Sequence, residues 1–196
     1  MYNFKVSDPH FLPHCGCDIE LTIKSGECAV IVGENGLGKT TLIQACHELQ
    51  NKHAVLVEQK PLDIFYDRSL GRVKDIFLTS GNELLDRDFF NRCWISFGLN
   101  LKHDRYLATL SGGEGQALKI CLGLAQKVPI LFLDEPSQFL DSQSKVILNE
   151  LLQQLLDKKK SIFIVEHDLG WLTVPMTFYK LRITKRQLKV EKTWSI

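Results

Sequence analysis

The chain has 196 residues, of which 44% are hydrophobic and 24% charged, a composition typical of a folded globular domain with a buried core. Its 24 basic and 23 acidic residues leave a formal charge of +1, so net charge gives no support for nucleic-acid binding. No apolar run approaches the roughly 18 residues of a membrane-spanning helix. Residues 1–5 lack the pattern of a secretion signal. We therefore expect a cytoplasmic chain with reduced cysteines.

The six cysteines do not show the spacing of a structural zinc site. Such sites normally take four converging ligands from two closely spaced pairs. This chain has one such pair, Cys15 and Cys17, with His10 and His14 nearby. The spacing favours small buried thiols, and a metal site at the Cys15–Cys17 pair stays open as the alternative.

The first 60 residues predict four short strands and one helix. Alternating or continuous apolar runs place the strands at 2–6, 19–23, 28–32 and 54–58, with a turn at 24–27 and a helix at about 39–50. The strand at 28–32 is apolar throughout, which suits burial on both faces of a sheet. The apolar face of the helix is expected to contain Leu42, Ile43, Ala45, Cys46 and Leu49.

After a segment with a different sequence pattern, the rest of the chain again alternates predicted helices and strands. Periodic apolar and aromatic residues between 62 and 110 predict two or three helices joined by polar segments. Further elements are predicted as a helix at 111–125, a strand at 130–133, a helix at 144–156, a strand at 161–165 and a hairpin at 179–190. The run Asp157-Lys158-Lys159-Lys160 is interpreted as the complement of a helix C-terminus and as a solvated turn.

Residues 33–40, with the sequence GENGLGKT, fit the phosphate-loop pattern G-x-x-x-x-G-K-[ST] between a predicted strand and helix. The glycines let the backbone turn so that successive N–H groups point at phosphate oxygens, and the helix N-terminus adds partial positive charge. Lys39 is expected to reach the β- and γ-phosphates, and Thr40 to supply an oxygen to Mg²⁺. The residues predicted to bind ATP are Gly33, Glu34, Asn35, Gly36, Leu37, Gly38, Lys39, Thr40 and Thr41.

Two adjacent acids, Asp134 and Glu135, end the apolar run at 130–133. An acid at the end of such a strand is where phosphate-loop enzymes hold Mg²⁺. Glu135 would then lie beside the γ-phosphate, where it can orient and polarise the attacking water. Acids often end strands, so it is the combination with residues 33–40 that predicts nucleotide hydrolysis.

Four further segments resemble the ATP-binding cassette (ABC) ATPases. Residues 110–116, LSGGEGQ, resemble the signature sequence of that family, usually LSGGQ followed by a polar run. Gln59 matches its Q-loop glutamine, residues 137–141 match its D-loop, and His167 resembles its switch histidine. The motifs follow the family's order from Gly33 to His167, which is most of the chain.

The resemblance implies that one chain holds only half of each site. Two protomers would pair head to tail, with ATP between the phosphate loop of one and the signature of the other. Ser111 and the N–H groups of Gly112 and Gly113 would contact the γ-phosphate across that interface. The resemblance also implies ATP and Mg²⁺ as cofactors, the catalytic residues Glu135, His167 and Gln59, and the magnesium-binding residues Thr40, Gln59 and Asp134.

The implied fold is a phosphate-loop NTPase of the α/β class, with a mostly parallel sheet and a helical insertion. Only 20 positions separate Lys39 from Gln59, so the antiparallel β-subdomain is expected to be trimmed relative to the family. The predicted division is a core at 1–61 and 126–196 and a helical subdomain at 62–125. Phe11 lies where the family places an adenine-stacking aromatic, with a core aromatic as the equal alternative and His10 as a weaker one.

Two classes of function fit the resemblance. The leading one is the ATP-hydrolysing subunit of a transporter on the cytoplasmic face of a membrane, paired with a second protomer and with separately encoded permease subunits. The alternative is a soluble ABC ATPase acting on nucleic acid or ribosomes, since the sequence VEHD at residues 165–168 also occurs in soluble members of the family. A solvated face is the simpler interpretation of the basic hairpin residues Lys180, Arg182, Lys185, Arg186, Lys189 and Lys192, so no nucleic-acid partner is expected.

Overall fold

The fold is described from a computed structural model, in which residues 1–6, 19–50, 52–58, 67–79, 83–184 and 187–194 are described, with side chains up to 179 except that of Phe178. Several residues with predicted roles lie outside these ranges, and the predictions made for them stay predictions. They are Gln59, Phe11, His10, His14, Cys15 and Cys17.

Eight strands and five α-helices make up the described part of the chain. The strands are β1 Tyr2–Val6, β2 Ile19–Ile23, β3 Cys28–Val32, β4 Ala54–Val57, β5 Ile130–Asp134, β6 Ser161–Val165, β7 Met176–Thr184 and β8 Gln187–Trp194. The helices are α1 Lys39–Leu49, α2 Leu70–Thr79, α3 Arg87–Ser96, α4 Gly112–Leu124 and α5 Ser142–Asp157, with short 3₁₀ turns at Leu99–Lys102 and Leu107–Thr109. No described helix is both long and apolar enough to cross a membrane.

A six-stranded sheet in the order β4-β5-β6-β3-β7-β8 forms the centre of the fold. Its first five strands are parallel, and β8 is antiparallel to β7 at the edge. The predicted α/β class is therefore confirmed. Because β5, β6 and β3 are neighbours and run in the same direction, the segments that follow them meet at one edge of the sheet.

Both faces of the sheet are buried, which explains the continuous apolar runs. One face, with Val30, Leu131 and Ile162, packs against α3, α4 and α5. The opposite face, with Ile31 and Phe132, packs against α1 and the small β1-β2 sheet. Each central strand thus fills two cores with alternate side chains.

The antiparallel pair β1-β2 forms a separate two-stranded sheet, as expected for a trimmed β-subdomain. Phe4 of β1 lies edge-on to Phe132 and Phe163, with ring centroids 5.7 Å and 5.3 Å apart. The hydroxyl of the buried Tyr179 in β7 accepts the N–H of Thr22 at 3.0 Å. Aromatic packing and this hydrogen bond therefore join the small sheet to the large one.

One expectation from the sequence was wrong in detail, and another was incomplete. Leu49 was placed on the apolar face of α1 but is 57% exposed, at the residue where the helix ends. Lys158 and Lys159 after α5 are exposed in a turn, as expected, but the lysines also make contacts that the sequence did not indicate. Lys158 pairs with Asp86 at 3.2 Å and lies over the ring of Phe89, and burial lowers the pKa of Lys160 to about 8.

Candidate functional site

The phosphate loop joins β3 to α1 and turns on glycines. Gly36 and Gly38 both have φ 78°, a left-handed conformation that side chains with a Cβ rarely adopt. Gly38 is the N-cap of α1, which has neither a capping side chain nor an acid in its first turn. The first N–H groups of the helix thus remain available to an anion.

Lys39 is 6% exposed and curls back over this loop. Its Nζ donates hydrogen bonds to the carbonyl oxygens of Gly33 and Glu34, each at 2.9 Å. Burial lowers the pKa of Lys39, while the nearby charges of Glu135 and Asp134 oppose that shift. The ammonium is thus held inside the concave side of the loop, which fits a phosphate-binding lysine.

Thr40 and Asp134 bring the loop and the end of β5 together. The hydroxyl of Thr40 donates to Oδ1 of Asp134 at 3.2 Å, although the two residues are 94 positions apart. Burial raises the pKa of the Asp134 carboxyl, and the adjacent Glu135 charge acts in the same direction. Hydroxyl and carboxylate oxygens are the ligands that Mg²⁺ prefers, so these two residues fit the predicted magnesium site.

Glu135 and His167 follow β5 and β6 and lie against each other. Oε1 of Glu135 is 3.1 Å from Nε2 of His167. Glu135 has φ 46°, an uncommon backbone conformation for a residue other than glycine. Its own N–H donates to the carbonyl of Val165 in β6 at 2.9 Å, which locks the start of this turn to the sheet. A carboxylate and an imidazole at this distance suit proton handling at a bound water.

The signature residues begin α4 and are held by a capping box. The side chain of Ser111 accepts the N–H of Glu114, and the Glu114 carboxylate accepts the N–H of Ser111 at 2.8 Å. Glu114, where the family usually has glutamine, also binds Lys102 at 2.6 Å and Arg105 at 3.0 Å. These cations hold the pKa of Glu114 below its usual range, although burial acts against them. Charge therefore fixes the N-terminus of α4.

The signature residues line a cavity to which the phosphate loop does not contribute. Ser111 and Gly113 line a cavity of about 500 Å³ together with Phe139 and Asp141. None of residues 33–41 lines this cavity, and neither does Asp134 or Glu135. The two predicted halves of the site thus do not share this cavity.

Two buried polar side chains near the site were not recognised as functional from the sequence. Gln116 of α4 donates to the carbonyl oxygen of Pro136 at 3.1 Å. Glu166 accepts the N–H groups of Ser137 and His167. Glu166 lies within the VEHD segment at 165–168, but the sequence assigned no role to it or to Gln116, and a polar residue next to an apolar run was the available signal.

The family model described as ABC transporter matches residues 17–138, more than half of the chain. Translation initiation factor rli1 of Schizosaccharomyces pombe is 34% identical over 158 residues, which cover 77% of this chain and 26% of that protein. The aliphatic sulfonates import ATP-binding protein SsuB 3 of Paraburkholderia xenovorans is 28% identical over 157 residues, covering 77% of this chain and 64% of that protein. The chain thus spans about a quarter of the first relative and under two thirds of the second.

Solved structures share the same architecture. The structure described as the ATP binding subunit of an ABC transporter matches with a TM-score of 0.71 over 90% of this chain and 82% of its own. Its sequence identity is 18%, so this likeness concerns the fold.

Proposed function

This chain belongs to the ABC family of ATPases and hydrolyses ATP. From that premise we propose that two copies pair head to tail around ATP, and that this closure drives separately encoded membrane subunits. The resemblance inferred from the motifs is confirmed by the family match. The dimer, the membrane partners and the roles of individual residues belong to the proposal.

The observation that supports the dimer most directly is the separation of the two half-sites. Lys39, Thr40 and Asp134 gather at the carboxyl edge of the sheet. Ser111 lines a cavity to which no phosphate-loop residue contributes. An isologous pairing brings the loop of each copy to the signature of the other, so one symmetric interface completes two sites.

In the closed dimer, this chain's residues divide the work between binding and chemistry. The N–H groups of the phosphate loop and Lys39 hold the phosphates, while Thr40 and Asp134 hold Mg²⁺. Bound Mg²⁺ would neutralise charge on the phosphate oxygens. Glu135 takes the proton of the attacking water, and its hydrogen-bond distance to His167 lets the imidazole orient that carboxylate.

Transport is the output that we propose for this closure. The matching family is described as ABC transporter, and the import protein SsuB 3 aligns over 64% of its own length, far more than the initiation factor. Ile95 and Leu101, which lie between β4 and β5 in the helical stretch, expose 61% and 82% of their surface. Apolar groups on that stretch suit contact with another subunit.

The test is fractionation of tagged Glu135→Gln protein from cells of the source organism, with ATP present to hold the closed dimer. We expect it to sediment with membranes and to carry a protein with several membrane spans. The matched control is Lys39→Ala, which should not hold the nucleotide and should lose that association. Recovery with ribosomes in place of membranes would reject the transport proposal.

A ribosomal role is the second candidate, and one observation favours it. The relatives named translation initiation factor, from Schizosaccharomyces pombe and Saccharomyces cerevisiae, reach 34% and 33% identity, above the 28% of the import protein. In the same fractionation this role predicts ATP-dependent association of Glu135→Gln with ribosomal subunits and none with membranes.

A further inference from the structure

A buried carboxylate lies between the two segments that carry the reacting groups. Glu166 follows directly after β6 and is 4% exposed. Its Oε1 accepts the N–H of Ser137 at 2.9 Å, and its Oε2 accepts the N–H of His167 at 3.1 Å. In the part of the chain that the structure describes, no lysine, arginine or histidine forms an ion pair with it.

Both oxygens of this carboxylate are therefore used on backbone groups. A buried charge costs several kcal/mol unless hydrogen bonds or a counter-charge satisfy it. Hydrogen bonds from backbone N–H groups to an ionised acid are among the stronger ones in proteins. Glu166 thus spans a fixed distance between Ser137, after β5, and His167, after β6.

The turn that contains Glu135 is held from its other side as well. Gln116, which is 3% exposed, donates to the carbonyl oxygen of Pro136 at 3.1 Å and lies 3.5 Å from that of Glu135. The φ of 46° at Glu135 is uncommon and persists only where the surroundings enforce it. Glu166 holds the N–H side of this turn, and Gln116 holds its carbonyl side.

We propose that Glu166 is a positioning residue, which acts through the backbones of Ser137 and His167 to keep the Glu135 carboxylate beside the His167 ring. The two groups are 3.1 Å apart. Its two hydrogen bonds go to the backbones of the chain segments from which the ring and the carboxylate project. This inference rests on the proposed catalytic roles of Glu135 and His167.

The sharpest variant is Glu166→Gln, which keeps the shape but turns one acceptor into an NH₂ donor facing a backbone N–H. We expect kcat for ATP to fall about tenfold to hundredfold while KM stays near that of wild type. Amide hydrogen exchange at Ser137 and His167 should become faster. The matched control is Glu27→Gln, because Glu27 also accepts a backbone N–H, from Lys24 at 2.7 Å, but lies outside the site. It should keep the wild-type kcat.

Glu166→Asp provides a second test that keeps the charge. The shorter carboxylate still reaches the adjacent His167 N–H but not Ser137, so kcat should be intermediate and exchange faster at Ser137 alone. If Glu166→Gln does not fold, this variant decides the matter.

Three results would overturn the positioning role. They are a wild-type kcat despite faster amide exchange, a loss confined to KM, or an equal loss in Glu27→Gln. Glu135→Gln retaining wild-type activity is a different failure, since it would remove the proposed base whatever Glu166 does.

Discussion

At the scale of single residues, the site places a carboxyl group in a buried position, where the charged form is disfavoured. Asp134 is 2% exposed at the end of β5, and burial raises the pKa of its carboxyl. The hydrogen bond from Thr40 opposes that rise. A raised pKa means that the folded state binds this proton more tightly than the unfolded state. Stability therefore falls as the pH rises from the pKa of Asp134 in the unfolded chain to its higher pKa in the folded one.

Asp134→Asn should therefore increase stability and abolish magnesium-dependent turnover. Asparagine keeps an oxygen for Thr40 and removes the buried charge, so we expect a gain of about 1 kcal/mol, or roughly 2–4 °C in Tm. The gain should be fully present at pH 7 and shrink as the pH falls into the range where Asp134 itself is protonated. Thermal unfolding at several pH values measures this, with Thr40→Val as the control that removes the partner and leaves the charge. An advantage that grows at low pH would contradict the account.

Glu135→Gln should separate binding from chemistry. The amide keeps the size of the side chain and its contact distance to His167 but cannot accept the proton of the attacking water. We expect kcat to fall about 10²- to 10⁴-fold with ATP affinity retained. Steady-state ATPase assays and equilibrium ATP binding check the two halves. Activity close to wild type would remove Glu135 from the role of general base.

At the scale of elements, α4 carries the signature against the turn that follows β5. A Cβ added at Gly113 would lie 2.7 Å from the carbonyl oxygen of Phe139, and one at Gly112 would lie 3.3 Å from the Phe139 ring. Phe139 itself has φ 65°, so its backbone has little freedom to withdraw. The small residues of the signature therefore let two segments approach within this chain, in addition to their proposed contact with ATP.

The prediction for α4 compares two glycines of the same helix. Gly113→Ala should destabilise the protein by roughly 1–3 kcal/mol, because a backbone carbonyl must move. Gly115 has no atom within 4 Å of an added Cβ, so Gly115→Ala should stabilise it by roughly 0.5–1 kcal/mol through helix propensity. Chemical denaturation of both variants measures the difference. Equal effects would show that the contact with Phe139 does not constrain the helix.

Most elements could be predicted from the sequence, and the residues proposed for the site could be selected from it, because their signals are local. Strand β6 was predicted with its observed bounds at 161–165, since an apolar run between polar turns has few alternatives. The exposure of Leu49 and the ion pair of Lys158 were not predictable, because both depend on where another element passes. The same holds for Gln116, whose partner Pro136 is 20 positions away and on another element.

At the scale of the whole molecule, each protomer contains two separate groups of proposed site residues. Lys39, Thr40 and Asp134 form one group, and Ser111, Gly113 and Phe139, which line a common cavity, form the other. If each copy completes its partner's site, damage to one group should be compensated by a copy in which that group is intact. A site built within one chain does not allow such compensation.

Mixing two inactive variants tests this directly. Lys39→Ala loses the phosphate grip, and Ser111→Arg blocks the signature, so each homodimer should have neither site complete. In a mixed dimer, the loop of the Ser111→Arg copy faces the signature of the Lys39→Ala copy, which makes one intact site. Random pairing of equal amounts gives half mixed dimers with one working site each, hence about a quarter of wild-type ATPase activity.

The control is a mixture of wild type with the double variant that carries both Lys39→Ala and Ser111→Arg. The double variant should inactivate both sites of every mixed dimer that it forms with wild type, because its own loop and its own signature are each defective. Inactivity of the mixture of single variants would reject the shared site.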